Sequence, residues 1–345
     1  MKTVSLDMHS DASQLCGVTE DGEVFLEMKV PTDMALIRQI IAGIPGPKRV
    51  VFEEGPLSGR LMDALRGVAD EVISCDPSRN ALIARAEDSN DERDARRLAL
   101  LARANALHAV YVPEEPYRTL RSLLVHDDNL QREIARTKNR IKGLCRRVGI
   151  RYQGQGVFAG GNRADVLAQI VEAGLRWQMS SLYRELDMLR RERYGVRRTV
   201  KGVSRQLGAL IERLESVPGV GTLTARTVAA WVIDPGRFRS RKALASYAGL
   251  GLGQGYTNWQ PTGPAKASRR GQRKLKRVLF LAANAAVKGQ NALARRYQAR
   301  LDAGWEHSKA IRDVARSILY ALAKIWTTGK EYEDERINVP DCKER

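Results

Sequence analysis

Cysteine is scarce in this chain: Cys16, Cys75, Cys145 and Cys342 are the only four among 345 residues, and no two form a CxxC pair. That spacing excludes a disulfide framework and gives no support to a zinc site. Long apolar runs are missing as well. None reaches the roughly eighteen residues that a membrane span needs, and the opening MKTVSLDMHSD carries no apolar signal region. A cytoplasmic protein with no membrane partner is the expectation. What is present is a globular composition, 43% hydrophobic, on a chain long enough for two or three domains.

Acidic residues fall short of basic ones, 40 against 58, for a formal net charge of +18. The imbalance is not spread evenly. Residues 1–110 hold 13 Lys and Arg against 18 Asp and Glu, a net of −5, whereas residues 111–345 hold 45 against 22, a net of +23. A basic majority joined to an acidic first domain suits a protein that binds a polyanion and keeps its carboxylates in one place. A soluble protein with basic coiled-coil faces is the plainer alternative.

The first domain is expected over residues 1–112. Lys2–His9 alternates apolar and polar residues and reads as a strand with Asp7 near its end. Gln14–Thr19 and Glu23–Val30 read as strands joined at the turn dipeptide Asp21-Gly22. A helix over about 32–43, a strand at Arg49–Phe52, a helix at Leu57–Gly67 and a strand at Glu71–Cys75 follow, and Asp76-Pro77 opens another helix. This order, a three-strand meander and then alternating helices and strands, is that of the ribonuclease H-like α/β fold. Ser89 or Asn90 can cap a further helix in which Ala95, Leu98, Ala99 and Ala102 supply the apolar face. Asp91 and Asp94 stand three apart at its start, so both carboxylates lie on one side. With Asp7 and Glu53 at strand ends they make four acids, in the order D, E, D, D. Ionised carboxylates that converge repel unless a cation or proton sits between them. Two divalent ions about 4 Å apart serve phosphodiester cleavage, and Mg²⁺ or Mn²⁺ takes the oxygen ligands that Asp and Glu supply.

A helical coiled-coil region is expected over 113–216. Leu120, Leu123, Leu130, Ile134, Ile141, Leu144 and Val148 alternate three and four apart, interrupted by Asp127 and Thr137. Helical periodicity returns over 164–194 and again from Val200 to Leu214, after a glycine-rich break at Arg151–Arg163. Such helices fold back on one another or pair with another chain, as a homodimer or homotetramer. A mainly α C-terminal domain is expected over 217–330. It opens on Ser216-Val-Pro-Gly219-Val-Gly221, a helix–hairpin–helix pattern whose glycines let backbone N–H groups approach phosphate. A polar stretch without clear secondary structure covers 251–270. Seven cations follow between Lys266 and Arg277, among them Lys266, Arg269, Arg270, Arg273 and Lys274, and backbone phosphate is their natural partner. A last helix runs over about 308–328, and residues 331–345 form a mobile tail.

Glu53-Glu54-Gly55-Pro56 resembles the glutamate–glycine–proline turn of the "one-ten" family of insertion-sequence transposases, which includes the Piv-type DNA invertases. Asp91-Glu92-Arg93-Asp94-Ala95 is similar to that family's D-x-x-D-A motif, and Asp7 to its first-strand aspartate. The spacing to Gly55-Pro56 favours Glu53 over Glu54. The resemblance extends to about residue 325 and implies a first domain like the junction resolvase RuvC, with a DEDD site for two Mg²⁺ ions, or Mn²⁺ in their place. It also implies a coiled coil that supports dimerisation and holds RNA. Gly249-Leu250 and Ser268-Arg-Arg-Gly271 resemble the elements that flank a nucleophilic serine in the family's transposase domain. Here the sequence departs from the pattern, because the intervening GLGQGYTNWQPTGPAKA contains no serine. Thr257 stands nearest the serine's place and Thr262 second, and a threonine hydroxyl also needs activation to attack phosphorus.

The expected function is therefore that of a nucleoid-associated bacterial recombinase acting on donor and target DNA. A hydroxyl of the C-terminal domain would attack the DNA, and a structured non-coding RNA would select the sites by base pairing. A metal-dependent nuclease or junction resolvase with water as nucleophile needs only the four acids. A domesticated nucleic-acid-binding protein needs only the basic surfaces.

Overall fold

A computed structural model describes residues 1–76, 91–253, 256–257, 260–261, 266–267 and 270–336, with only the backbone path given at 256–257, 261 and 266–267. The expected helix opening at Asp76-Pro77 and the caps Ser89 and Asn90 lie outside the described residues. The chain divides into two compact units, Met1–Glu114 and Glu115–Arg345.

The first unit is a six-stranded mixed sheet with helices on both faces. Its strands are β1 (Lys2–Met8), β2 (Ala12–Val18), β3 (Val24–Pro31), β4 (Lys48–Glu53), β5 (Glu71–Cys75) and β6 (Ala109–Val110), in the order β3-β2-β1-β4-β5-β6. The β1–β2–β3 meander is antiparallel, β4 joins β1 in parallel and β5 joins β4 in parallel. Gly22 makes the β2–β3 turn at φ +95°, a region that costs glycine nothing. Strand alternation assigns the two faces. Val4, Leu6, Val50 and Phe52 point to one side, where α1 (Met34–Gly43) and α2 (Ser58–Leu65) bury Ile37, Ile41, Leu61 and Leu65 against them. The other side carries Cys16, Val18 and Val51, covered by Ala95, Leu98, Ala99 and Ala102 of α3 (Asp91–Arg103). These are the four positions whose spacing marks an apolar face. The small side chains let α3 come close, and the Ser5 hydroxyl donates to the Ala95 carbonyl at 2.5 Å.

The second unit is helical. Two 31-residue helices, α4 (Tyr117–Arg147) and α6 (Ala173–Val203), run antiparallel, with α5 (Arg163–Ala168) in their connection. Leu130, Ile134, Ile141 and Leu144 pack on Met179, Leu182, Tyr183, Leu186 and Leu189 of the same chain. The heptad seam is thus filled internally, which removes the reason for expecting a homodimer or homotetramer from it. The polar interruptions are part of the seam. Asp127 is buried and accepts from Arg193 and Arg197, each at 3.0 Å, and the Thr137 hydroxyl donates to Glu185 at 3.1 Å.

Helices α7 (Gly208–Glu215), α8 (Thr222–Val232), α9 (Arg241–Tyr247), α10 (Arg273–Ala286), α11 (Ala292–Asp302) and α12 (His307–Thr328) complete the unit. Their core takes in Leu120, Leu124 and Val200 from the bases of the long helices. For that reason the boundary expected at 216/217 does not separate compact units. Two further expectations are corrected. The 251–270 stretch contains two short antiparallel ladders, β7 (Leu252–Gly253) with β10 (Lys266–Ala267) and β8 (Tyr256–Thr257) with β9 (Gln260–Pro261); two-residue strands are too short to leave a periodicity. The start of the tail is anchored, since the Tyr332 amide donates to the Ser216 hydroxyl at 3.0 Å and Asp334 accepts from the Ala292 amide at 2.9 Å. No described helix is long and apolar enough to cross a membrane.

Candidate active site

Sheet parity and register build the acidic site. Asp7 is two residues beyond Ser5 and therefore lies on the α3 face of β1. Leu6 of β1 pairs with Phe52 of β4, so Glu53, in phase with Val51, follows beside Asp7 on the same face. Glu54 has the opposite parity, and its amide is engaged by the Cys75 carbonyl at 2.8 Å. Asp91 and Asp94 enter from the first turn of α3, where the exposed N–H groups and helix dipole favour carboxylates.

The structure brings Asp7 and Asp91 together with a residue that the sequence pattern does not single out, His9. Its Nε2 lies 3.3 Å from Asp7 Oδ2 and 3.4 Å from Asp91 Oδ1. One ligand atom from each of Asp7, His9 and Asp91 falls within 4.8 Å of the others. Asp94 pairs with Arg97 at 3.4 Å and still contributes its field to Asp7. By register Glu53 lies on the same face of the sheet, and neither it nor Asp94 belongs to that tight group. Lys29 was also not foreseen; its Nζ lies 3.2 Å from Asp91 Oδ2.

The charges of the site pull in different directions. Burial raises the Asp7 carboxyl above its usual range, the negative charges of Asp91 and Asp94 add to this, and His9 opposes it. The hydrogen bond from Lys29 holds the Asp91 carboxyl below its usual range, with the Lys29 and His9 charges adding to it. Two carboxylates a few ångströms apart, held by an imidazole and an ammonium, are arranged to accept a positive charge between them. The donor set fits a divalent ion, because oxygens bound at about 2.1 Å to one octahedral centre lie about 3–4 Å from each other.

The expected phosphate contacts divide into distinct groups. Gly219, at φ +81°, sits against α10: a Cβ there would stand 2.2 Å from the Ala282 carbonyl oxygen and 2.7 Å from the Ala286 amide. Its close approach is thus to protein backbone. Gly221 is the N-cap of α8, with no side-chain cap and nothing near its Cβ position. Lys274 donates to Asp128 at 2.8 Å and Arg277 pairs with the same carboxylate. That bonding outweighs the effect of burial and leaves Asp128 below the usual carboxylate range. Arg273 is exposed at the start of α10, and Arg270 is exposed just before it. Lys266 lies in β10, opposite Gly253, and Thr257 lies in β8, opposite Gln260; their side chains, with Thr262, Ser268 and Arg269, lie outside the described residues.

The two elements that flank this stretch meet. Gly249, at φ +71°, and Gly271, at φ +106°, touch so closely that a Cβ on Gly271 would stand 2.5 Å from the Gly249 amide nitrogen. The Gln272 amide donates to the Tyr247 carbonyl at 2.7 Å and closes the stem.

Comparison with known proteins agrees with both halves of the chain. A family model described as transposase, of the DEDD IS110 type, matches residues 4–149. A second, the transposase IS116/IS110/IS902 family, matches residues 211–298. An uncharacterised 43.6 kDa protein of insertion element IS110 from Streptomyces coelicolor is 26% identical over 96% of this chain and 95% of its own length. A putative transposase from Sinorhizobium fredii is 24% identical over 88% of this chain and 83% of its own. The transposase for insertion sequence element IS1111A from Coxiella burnetii is 25% identical over 72% and 68%. With the acidic site on the first matched segment and the glycine-closed stem on the second, the chain belongs to the IS110 family of transposases.

Proposed function

We propose that this transposase cuts and rejoins DNA by metal-assisted phosphoryl transfer at the Asp7, Glu53, Asp91 and Asp94 site. The observation that carries this reading is the convergence of Asp7, His9 and Asp91 from one strand and one helix onto a single spot. The sheet order β3-β2-β1-β4-β5 supports a ribonuclease H-like, RuvC-like first unit. Two Mg²⁺ ions, or Mn²⁺, would polarise the scissile phosphate and stabilise the leaving oxygen. Asp7, Glu53, Asp91 and Asp94 would hold the ions, and the bound phosphate would be oriented there for in-line attack.

The nucleophile of this proposal is the Thr257 hydroxyl. Attack would form a threonine–phosphate ester and release a 3′ or 5′ hydroxyl, keeping the phosphoester bond energy for rejoining. The exposed cations at the start of α10 would hold backbone phosphate. The family resemblance adds a structured guide RNA that selects donor and target, and the basic second unit is a fitting surface for it. The missing serine favours one second reading, a nuclease or resolvase that uses water.

A suicide DNA substrate with divalent metal tests these together. Asp91→Asn and Asp94→Asn should abolish cleavage with circular dichroism unchanged. Thr257→Ala should abolish the covalent adduct, and Thr257→Ser should retain it. Cleavage without any adduct in the wild type would select the water reading, and metal-independent cleavage would overturn the site.

A further inference from the structure

We propose that His9 is a nitrogen ligand of the acidic site and biases it toward Mn²⁺-like ions over Mg²⁺. The inference rests on the metal-centre reading above and names a donor beyond the four acids. His9 follows directly on β1, and its backbone is fixed on both sides. Its amide donates to the Ala12 carbonyl at 3.1 Å, and its carbonyl accepts from the Thr32 hydroxyl at 2.8 Å. Thr32 is itself held by the Ser13 hydroxyl at 2.8 Å. The imidazole therefore starts from a positioned backbone.

The ring is 56% exposed, so packing is not what places it. What places it is its polar contacts: Nε2 stands between carboxylates of two separate elements, at 3.3 and 3.4 Å. Two explanations give that geometry. His9 is a counter-charge that offsets Asp7 and Asp91, or it is a third donor that shares an ion with them. As a counter-charge it would leave when a metal arrives, and it would be needed only without one. Lys29 already supplies a counter-charge to Asp91 at 3.2 Å. A second cation is thus redundant, whereas a third donor is not. The three possible ligand atoms lie within 4.8 Å of one another, with Nε2 at 3.3 and 3.4 Å from the two oxygens, close enough to converge on one ion. Mg²⁺ strongly prefers oxygen donors and imidazole suits transition-metal ions, so one nitrogen among oxygens shifts preference away from Mg²⁺ toward transition-metal ions, of which Mn²⁺ is the one that also accepts a mainly carboxylate site.

The test uses the full chain and Mn²⁺ itself. Mn²⁺ affinity is read from the loss of the free-ion electron paramagnetic resonance signal, Mg²⁺ affinity by competition, and nitrogen ligation from electron spin-echo modulation of bound Mn²⁺. His9→Gln should weaken Mn²⁺ binding about tenfold or more, change Mg²⁺ binding about twofold or less, and erase the nitrogen modulation. Asp7→Asn should abolish binding of both ions. If His9→Gln leaves Mn²⁺ affinity and the echo unchanged while Asp7→Asn abolishes binding, His9 is only a counter-charge and the metal centre stands. If the wild type binds no Mn²⁺, or Asp7→Asn binds it normally, the metal-centre reading itself falls.

Discussion

At the scale of single residues, buried charge is handled in two opposite ways. Asp7 is left with its carboxyl raised by burial and by neighbouring acids, a cost that suits a group awaiting a cation. Asp313 is more deeply hidden, at 5% side-chain exposure against 25% for Asp7, but three guanidiniums surround it: Arg296 at 2.8 Å, and Arg300 and Arg316 at 3.1 Å each. Burial would raise its carboxyl, and the three arginines together hold it below the usual range. Asp313→Asn leaves these cations without their anion and should destabilise the protein by about 3 kcal/mol, read by urea denaturation at neutral pH. Because the folded carboxyl titrates below its unfolded value near 3.9, this stabilisation is complete above that pH and is lost as pH falls through the folded value. The gap between wild type and Asp313→Asn should therefore close below about pH 4.

At the scale of elements, the turn between α7 and α8 shows what its glycines do. Gly219→Ala would drive a Cβ into the α10 backbone at a positive φ, where an L side chain is also strained. We expect a loss of about 3 kcal/mol or more, measured by thermal melting. Gly221→Ser should instead gain a few tenths of a kcal/mol by capping α8. From sequence, the two glycines look alike; only the approach of Ala282 and Ala286 to Gly219 distinguishes them. The same limit applies elsewhere. The α3 face and the strand alternation that places Asp7 were legible because each repeats over several residues. His9 was not, since a lone histidine past a strand end has no period. The Asp128 pairing with Lys274, 146 positions away, leaves no local trace either. Periodicity likewise reports that a face is apolar and not which core receives it, as with Leu120, Leu124 and Val200.

At the scale of the whole molecule, positive charge is concentrated in the unit that begins at Glu115, and not all of it is equally available. Lys274 and Arg277 are already committed to Asp128, while Arg273 is exposed one residue before them. Binding of nonspecific duplex DNA should weaken with salt, with a slope of about 0.9 per phosphate contacted. Arg273→Glu should reduce that slope by about one. Asp128→Asn should raise affinity and steepen the slope by releasing both partners, as measured by fluorescence anisotropy across a salt series. Unchanged slopes would place the contacts on other cations.

The meeting of Gly249 and Gly271 reaches beyond its own hydrogen bonds. The chain returns to where it left, and among the described residues between the two glycines only Leu250 enters the core. The stretch bearing Thr257 is, in effect, a cassette held in a fixed frame. Exchanging residues beyond Leu250 should leave the thermal melting of the surrounding helices unchanged, provided both glycines stay.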